Sequence, residues 1–565
     1  MLKGILLIIV LAGAAWWLWI ARDWLAERGR DKLAWWSRSL AYSTGLAAVV
    51  GLTDLFGGHL MTGGEAAIVV IGVAIFANIV RNIFHGTLNF FRGGRETGAV
   101  RDVTEDADYL QKLAQPFDPA RLIDIRKGIL IGLDGQRKPV FLNHSVIQKN
   151  HIEILGESGV GKSSLAGVLL SQLATAGESV IVFDPKGDRN LPGALARAGK
   201  QHGYPVRILD LRPSADFAQV NPFAGCRPDQ VEELLQVALE LGKTGDGGVD
   251  FYRGKDREAT GYIAAAMADG RTCMQEIISK AADDERVVEQ ENLWRELRQL
   301  GRVLALHTEA GLDLQQALDE RGVLYIIGST TRLEVVAAQK LILQRVLQIL
   351  DERIDQDRPV ALFLDELKYL LSPAALRAAG TIRDRNCHLI FAHQSLGDLA
   401  DCPGLDANAV RGAIWGNSGI KVAYKMLDAA TAKELELLAG QVSATAVSRS
   451  KNDQGESVSR QQVKASFMPA HVFTHLPKPT NGEASVGVVF GLGTAFYLST
   501  RWLESGPMPA AERAAEPTPA AQPAIEQEQE QDQEQAPARA EPETWTGEAE
   551  PGAVDPLDAI LGVRK

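Results

Sequence analysis

Residues 151–155 read HIEIL, an apolar run with the pattern of a buried strand, and lead directly into Gly156-Glu157-Ser158-Gly159-Val160-Gly161-Lys162-Ser163. Beyond this turn, Leu165, Val168, Leu169 and Leu173 recur at helical spacing. A strand that breaks into a glycine-rich turn and restarts as a helix fits an α/β protein built on a parallel sheet. Gly156, Gly159 and Gly161 let the backbone N–H groups of residues 156–164 crowd around phosphate oxygens, and the helix adds its positive end. Lys162 is expected to reach the β- and γ-phosphates of ATP. The hydroxyl of Ser163 is expected to coordinate Mg²⁺, and Ser164 to belong to the same nucleotide-binding turn.

A nucleotide cradle needs carboxylates opposite it, and the sequence offers them far along the chain. Residues 359–364 read PVALFL, a buried-strand pattern ending in Asp365-Glu366. Asp365 is expected to hold the Mg²⁺ shell and Glu366 to act as general base on water. Residues 387–392 form a third apolar run, followed by His393, Gln394 and Ser395. An amide at the C-terminal end of a sheet strand faces the ligand crevice, so Gln394 is expected to sense the γ-phosphate or its water. The strand at 179–183 ends in Asp184-Pro-Lys186-Gly-Asp188 at the same edge. These residues either contact DNA or shape the loop. Arg383, Arg385 and Arg411 are candidates for an arginine that completes a neighbouring subunit's site, or for plain surface ion pairs.

The N-terminal end reads as membrane. Residues 4–20 carry no charge, residues 66–80 form a second apolar run, and residues 40–56 form a weaker third. Residues 1–95 are therefore expected to hold two or three transmembrane helices. A cleaved signal peptide fits less well, because another apolar segment soon follows. With two spans, Arg22, Arg28, Arg30, Lys32 and Arg38 fall outside, against the positive-inside rule; three spans place them inside. Both topologies leave the chain beyond Arg81 in the cytoplasm, where ATP is. Residues 96–225 are expected to form the first part of a nucleotide-binding domain and 226–320 an all-helical insertion. Residues 321–503 are expected to form the second part and 504–565 an acidic disordered tail. Residues 444–466, rich in Ser and Gln, are expected to be mobile or to lie at an edge. The helix after the strand at 323–327 is expected to run from Leu333 to Gln356.

The formal charge of -12 is concentrated in that tail, which carries 14 acidic and 4 basic residues from Glu504 onward. Global acidity therefore does not argue against a basic surface on the body. The closing stretch at 555–565 regains apolar residues and either docks on a partner or is inert. The four cysteines form no CxxC pattern, which excludes a zinc site or a disulfide framework. There is no convincing Ser-His-Asp cluster.

The combination of N-terminal spans, GESGVGKSS at 156–164, FDPKGD at 183–188, NPF at 221–223, LFLDEL at 362–367, HQS at 393–395 and the segment 415–428 resembles the TraG/TraD-like coupling-protein ATPases of conjugation and type IV secretion. The resemblance implies an α/β, RecA-like P-loop ATPase core with a helical insertion domain and N-terminal transmembrane helices. It also implies a homo-hexameric ring in the bacterial inner membrane, with the ATPase in the cytoplasm. Such a ring would take single-stranded DNA with its relaxase to the secretion channel and drive transfer by ATP hydrolysis. A DNA-segregation pump, a pilus-assembly ATPase and a substrate-docking hub with weak hydrolysis are the alternatives.

Overall fold

The computed structural model describes residues 103–267, 272–353, 358–402, 404–452, 455–480 and 482–514. The expected membrane spans and most of the expected tail lie outside these residues. No described helix is long and apolar enough to cross a membrane.

The strands are β1 (Ile129–Leu133), β2 (Pro139–Leu142), β3 (Ile152–Leu155), β4 (Ser179–Asp184), β5 (Val206–Asp210), β6 (Gly322–Ile327), β7 (Val360–Leu364), β8 (Cys387–His393), β9 (Ile420–Ala423), β10 (Gln441–Asn452), β11 (Gly455–Ser466), β12 (Ser485–Phe490) and β13 (Phe496–Thr500). Eleven of them form one sheet in the order β2-β1-β13-β12-β9-β3-β8-β7-β4-β6-β5. From β9 to β5 every pairing is parallel; from β9 through β12, β13 and β1 to β2 every pairing is antiparallel.

The parallel strands are apolar at nearly every position because both sheet faces are covered. Alternate residues of β4 divide between the faces. Val180 and Val182 pack with Leu165, Leu169 and Leu173 of the helix Lys162–Thr175. Ile181 and Phe183 face the helix Leu333–Glu352, through Leu341, Val346 and Leu350. That helix ends at Glu352, four residues short of the expected Gln356.

Between β5 and β6 the chain forms the helices Pro228–Ala238, Gly247–Ala266, Met274–Ala282, Glu285–Val288, Glu291–Leu300 and Leu314–Asp319. Their apolar residues, among them Leu234, Ile263 and Leu297, join the same core as β4 and β7. Residues 103–442 and 465–514 accordingly belong to one compact unit.

Two expectations change. Residues 444–452 and 455–466, expected to be mobile or to lie at an edge, belong to the paired strands β10 and β11, a two-stranded sheet. Residues 443–464 fall in the other unit. The sequence hid this because its Ser, Thr and Val residues suit a pleated backbone but offer no apolar face. The second correction concerns residues 504–514, expected to open a disordered tail. The Ser505 hydroxyl donates to Asn190 O at 3.0 Å, and Gly506 N donates to Gly193 O at 3.0 Å. Ala511 bridges Ile208 in parallel, and Glu512 N donates to Ile208 O at 2.8 Å. An edge strand has backbone groups to satisfy, and here the chain's own extension satisfies some of them.

Gln172 stitches the helix Lys162–Thr175 to the distal part of the sheet. Its Oε1 accepts from Leu130 N at 2.8 Å, and its Nε2 donates to Leu130 O at 2.9 Å. Leu130 adjoins the irregularity where β1 and β2 shift register, and it is completely buried. Gln172→Leu should leave two buried backbone groups unpaired, destabilising this unit by about 2–4 kcal/mol. The check is a thermal unfolding midpoint lowered relative to the wild-type chain.

Candidate nucleotide site

Parallel pairing fixes the cradle's position. Leu155 lies level with His393 of β8 and Ala423 of β9. As β3 ends, Gly156 N donates to His393 O at 3.3 Å and Glu157 N donates to Lys425 O at 3.0 Å. The turn then closes through three left-handed glycines: Gly156 (φ 144°), Gly159 (φ 76°) and Gly161 (φ 113°). Gly161 is the most constrained, since a Cβ there would lie 2.0 Å from Ser485 Oγ. Val160 turns inward and is 1% exposed, whereas Ser158 and Gly159 stay exposed. Gly161 caps the following helix without a side-chain bond, which leaves the first helical N–H groups free for an anion.

Lys162 is buried at the mouth of this turn, where its Nζ donates to Gly156 O at 2.6 Å and to Glu157 O at 2.9 Å. Burial lowers its pKa, while Glu366 and Asp365 act in the opposite direction. The ammonium therefore lies within the field of both carboxylates singled out from the sequence. Ser163 and Ser164 are half-buried at the same helix start.

The carboxylates stand at the neighbouring strand ends. Asp365 N donates to Phe183 O at 3.0 Å, extending the β7–β4 ladder by one bond. Asp365 is pushed up to about 7 by burial and then by the charges of Asp184 and Glu366, against the pull of Lys162. Such crowding of negative charge favours a cation. A buried carboxylate and a helix-start hydroxyl are hard oxygen donors suited to Mg²⁺, so Asp365 and Ser163 would hold it, with phosphate oxygens completing the shell. Among the described residues no group of three or more His, Cys, Asp or Glu could hold a metal unaided.

Glu366 adopts a left-handed conformation with φ 45°, uncommon for a residue with a side chain. It is 2% exposed. One carboxylate oxygen is paired with Lys186, and the other accepts from Gln394 Nε2 at 3.4 Å. Gln394 itself is anchored by its backbone N–H, which donates to Asp398 Oδ2 at 2.8 Å.

The segment 184–188, whose role the sequence left open, shapes this edge. Asp184 is 1% exposed, and burial raises its pKa. It accepts from Lys186 N at 3.1 Å, Gly187 N at 2.9 Å, Asp188 N at 2.5 Å and the Tyr325 hydroxyl at 2.5 Å.

Sequence reasoning missed two features. The first is the pairing of Lys186 with Glu366. The second is a buried set of charges behind the cradle: Glu153 on β3 meets His393 Nε2 at 2.8 Å and Lys421 Nζ at 3.1 Å. The charged residue inside HIEIL was the available signal, because a buried carboxylate requires partners.

The arginines are not brought to the cradle. Arg383 and Arg385 precede β8, at the opposite end of the strand from Gln394. Arg383 donates to Lys149 O at 3.4 Å, Arg385 pairs with Asp351 at 2.9 Å, and Arg411 pairs with Glu434 at 3.0 Å. A direct role in their own subunit's site is thereby excluded for Arg383 and Arg385.

Replacing Lys162 with methionine removes the buried ammonium while keeping much of its stem. ATP binding should weaken about 10- to 100-fold, the worth of one or two charge-assisted bonds. Equilibrium titration with Mg·ATP checks this.

Comparison with known proteins bears on this geometry. Residues 126–215, spanning the cradle, match the family described as the central domain of the helicase HerA. Residues 359–478, spanning Asp365, Glu366 and Gln394, match the family described as the TraM recognition site of TraD and TraG. Mobilization protein A of Escherichia coli is 30% identical over 304 residues, covering 53% of this chain. The chain spans 56% of the length of that relative. The fold matches the unbound conjugative coupling protein TrwBΔN70 with a TM-score of 0.51 at 16% identity, covering 70% of this chain and 93% of the other. It also matches TrwB in complex with the ATP analogue ADPNP, with a TM-score of 0.51 at 14% identity, over 70% and 94% of the two chains. In two segments and in fold, the chain is thus similar to the TraG/TrwB-like coupling-protein and conjugation ATPases of type IV secretion.

Proposed function

We propose that this chain is a membrane-anchored ring ATPase that couples relaxase-bound DNA to a type IV secretion channel and drives its transfer by ATP hydrolysis. The observation that carries the reading is the convergence at one sheet edge of a phosphate cradle, a buried lysine and the Asp365–Glu366 pair, whose charges act on that lysine. The TrwB structures with a matching fold are those of a plasmid coupling protein, and one of them holds an ATP analogue. The curated relative is a mobilization protein.

In this reading the backbone of residues 156–164 cradles the phosphates, and Lys162 turns from Gly156 O and Glu157 O toward the β- and γ-phosphates. Ser163 and Asp365 would hold Mg²⁺, which would supply charge neutralisation at the phosphates. Glu366 accepts the proton of the attacking water, and Gln394 registers the loss of the γ-phosphate. Residues 1–95 anchor a hexamer in the inner membrane of a bacterium, and the body works in the cytoplasm. A ring pore that binds single-stranded DNA needs only a few basic loops, so the acidic tail does not oppose it. For Arg383, Arg385 and Arg411, a neighbouring subunit's site is the place where one could act.

Replacing Glu366 with glutamine keeps the side chain's shape while removing its basicity. Hydrolysis should fall about 100-fold or more, both with and without single-stranded DNA, and plasmid transfer should be lost. ATP turnover and mating frequency are the measurements. Normal transfer by this variant would overturn the motor reading.

A further inference from the structure

Both oxygens of the buried Glu366 carboxylate already have protein partners. Lys186 occupies one and Gln394 Nε2 the other. The two partners of the ion pair differ in freedom. The Glu366 side chain is 3% exposed and the Lys186 side chain 39%. The backbone around Lys186 is fastened, because Asp184 accepts from the N–H groups of residues 186, 187 and 188. Only the four-carbon stem is free to swing.

The pair holds the Lys186 ammonium directly against the carboxylate read above as the base. Lys186 is also among the charges that act on Lys162, so its ammonium already lies within the field of the phosphate cradle. A γ-phosphate arriving there would offer Lys186 a more highly charged partner than a single carboxylate. ADP would not.

We infer that Lys186 is a positioning residue that changes partners with the nucleotide state: it pairs with Glu366 until ATP binds, then turns to the γ-phosphate and frees the carboxylate for water. The inference rests on the ATP-site reading above and is independent of DNA coupling. In the step it enables, the water oxygen bonds to the γ-phosphorus, the bond to the bridging oxygen breaks with its electrons passing to ADP, and the water proton passes to Glu366. The arrangement ties the base's release to the bond it helps to break, so an empty or ADP-filled site holds the base idle.

The test is a double-substitution cycle read by equilibrium binding of AMP-PNP and of ADP, each with Mg²⁺, to the full-length chain in detergent. Lys186→Ala should weaken AMP-PNP about tenfold, the worth of one charge-assisted bond, and leave ADP within about twofold. Retained ADP binding shows that the variant is folded. If Lys186→Ala fails to fold, Lys186→Gln should show the same selective loss. Lys186→Arg should restore discrimination between the two nucleotides. Glu366→Gln removes the competing charge and should tighten AMP-PNP severalfold, with that gain absent when Lys186 is also alanine. An unchanged ratio of AMP-PNP to ADP affinity in the Lys186 variants would overturn the inference. So would a Glu366→Gln gain that persists without Lys186. A wild-type chain that binds neither nucleotide would overturn the ATP-site reading itself.

Discussion

The chemistry of this molecule depends on one crowded arrangement of charge. Lys162 is buried where its ammonium feels Asp365 and Glu366, and Asp365 in turn feels Asp184 and Glu366. No member of such a set is comfortable alone. A carboxylate in a low-dielectric crevice needs a cation, and a buried ammonium needs an anion or carbonyls. The parallel sheet makes the arrangement possible by delivering the ends of β3, β8, β7 and β4 to a single edge, within one or two residues of a common level. The placement of the glycine turn, Asp365, Glu366 and Gln394 at one edge is thus a consequence of strand register. A one-residue slip would rotate each side chain to the opposite face.

How much of this was legible from the residues depended on distance along the chain. The strand–turn–helix at 151–175 was visible because all its determinants are local: an apolar run, three glycines and a helical stripe. The ends of β7 and β8 were visible for the same reason, each being a buried-strand pattern followed by polar residues. The pairing of Lys186 with Glu366 was not, since 180 positions separate the two and nothing local to either predicts the other. The short strand β13, with Tyr and Ser among its five residues, pairs with β12 and β1 but lacks the apolar run that revealed the central strands. β10 and β11 escaped detection because a backbone ladder can form without an apolar face to announce it.

Glu153 shows a different limit. A glutamate inside an apolar strand is visible at a glance, but its meaning depends on what faces it. Here His393 and Lys421 come from the strands on either side of β3, so three neighbouring strands share a buried polar contact on Glu153. Removing one member would leave the others' buried polar groups without a partner. The group therefore resists piecemeal substitution, and it fastens the floor of the cradle to the strand that carries Gln394.

The strap formed by residues 504–514 has a consequence for assembly. Copies of one chain present identical sheet borders to each other, and an open border invites a stranger's backbone. By laying its own extension along Ile208 and closing contacts at Gly193, each copy occupies part of that border in advance. Association is then steered toward side-chain surfaces, which can be made specific, and away from main-chain pairing, which cannot.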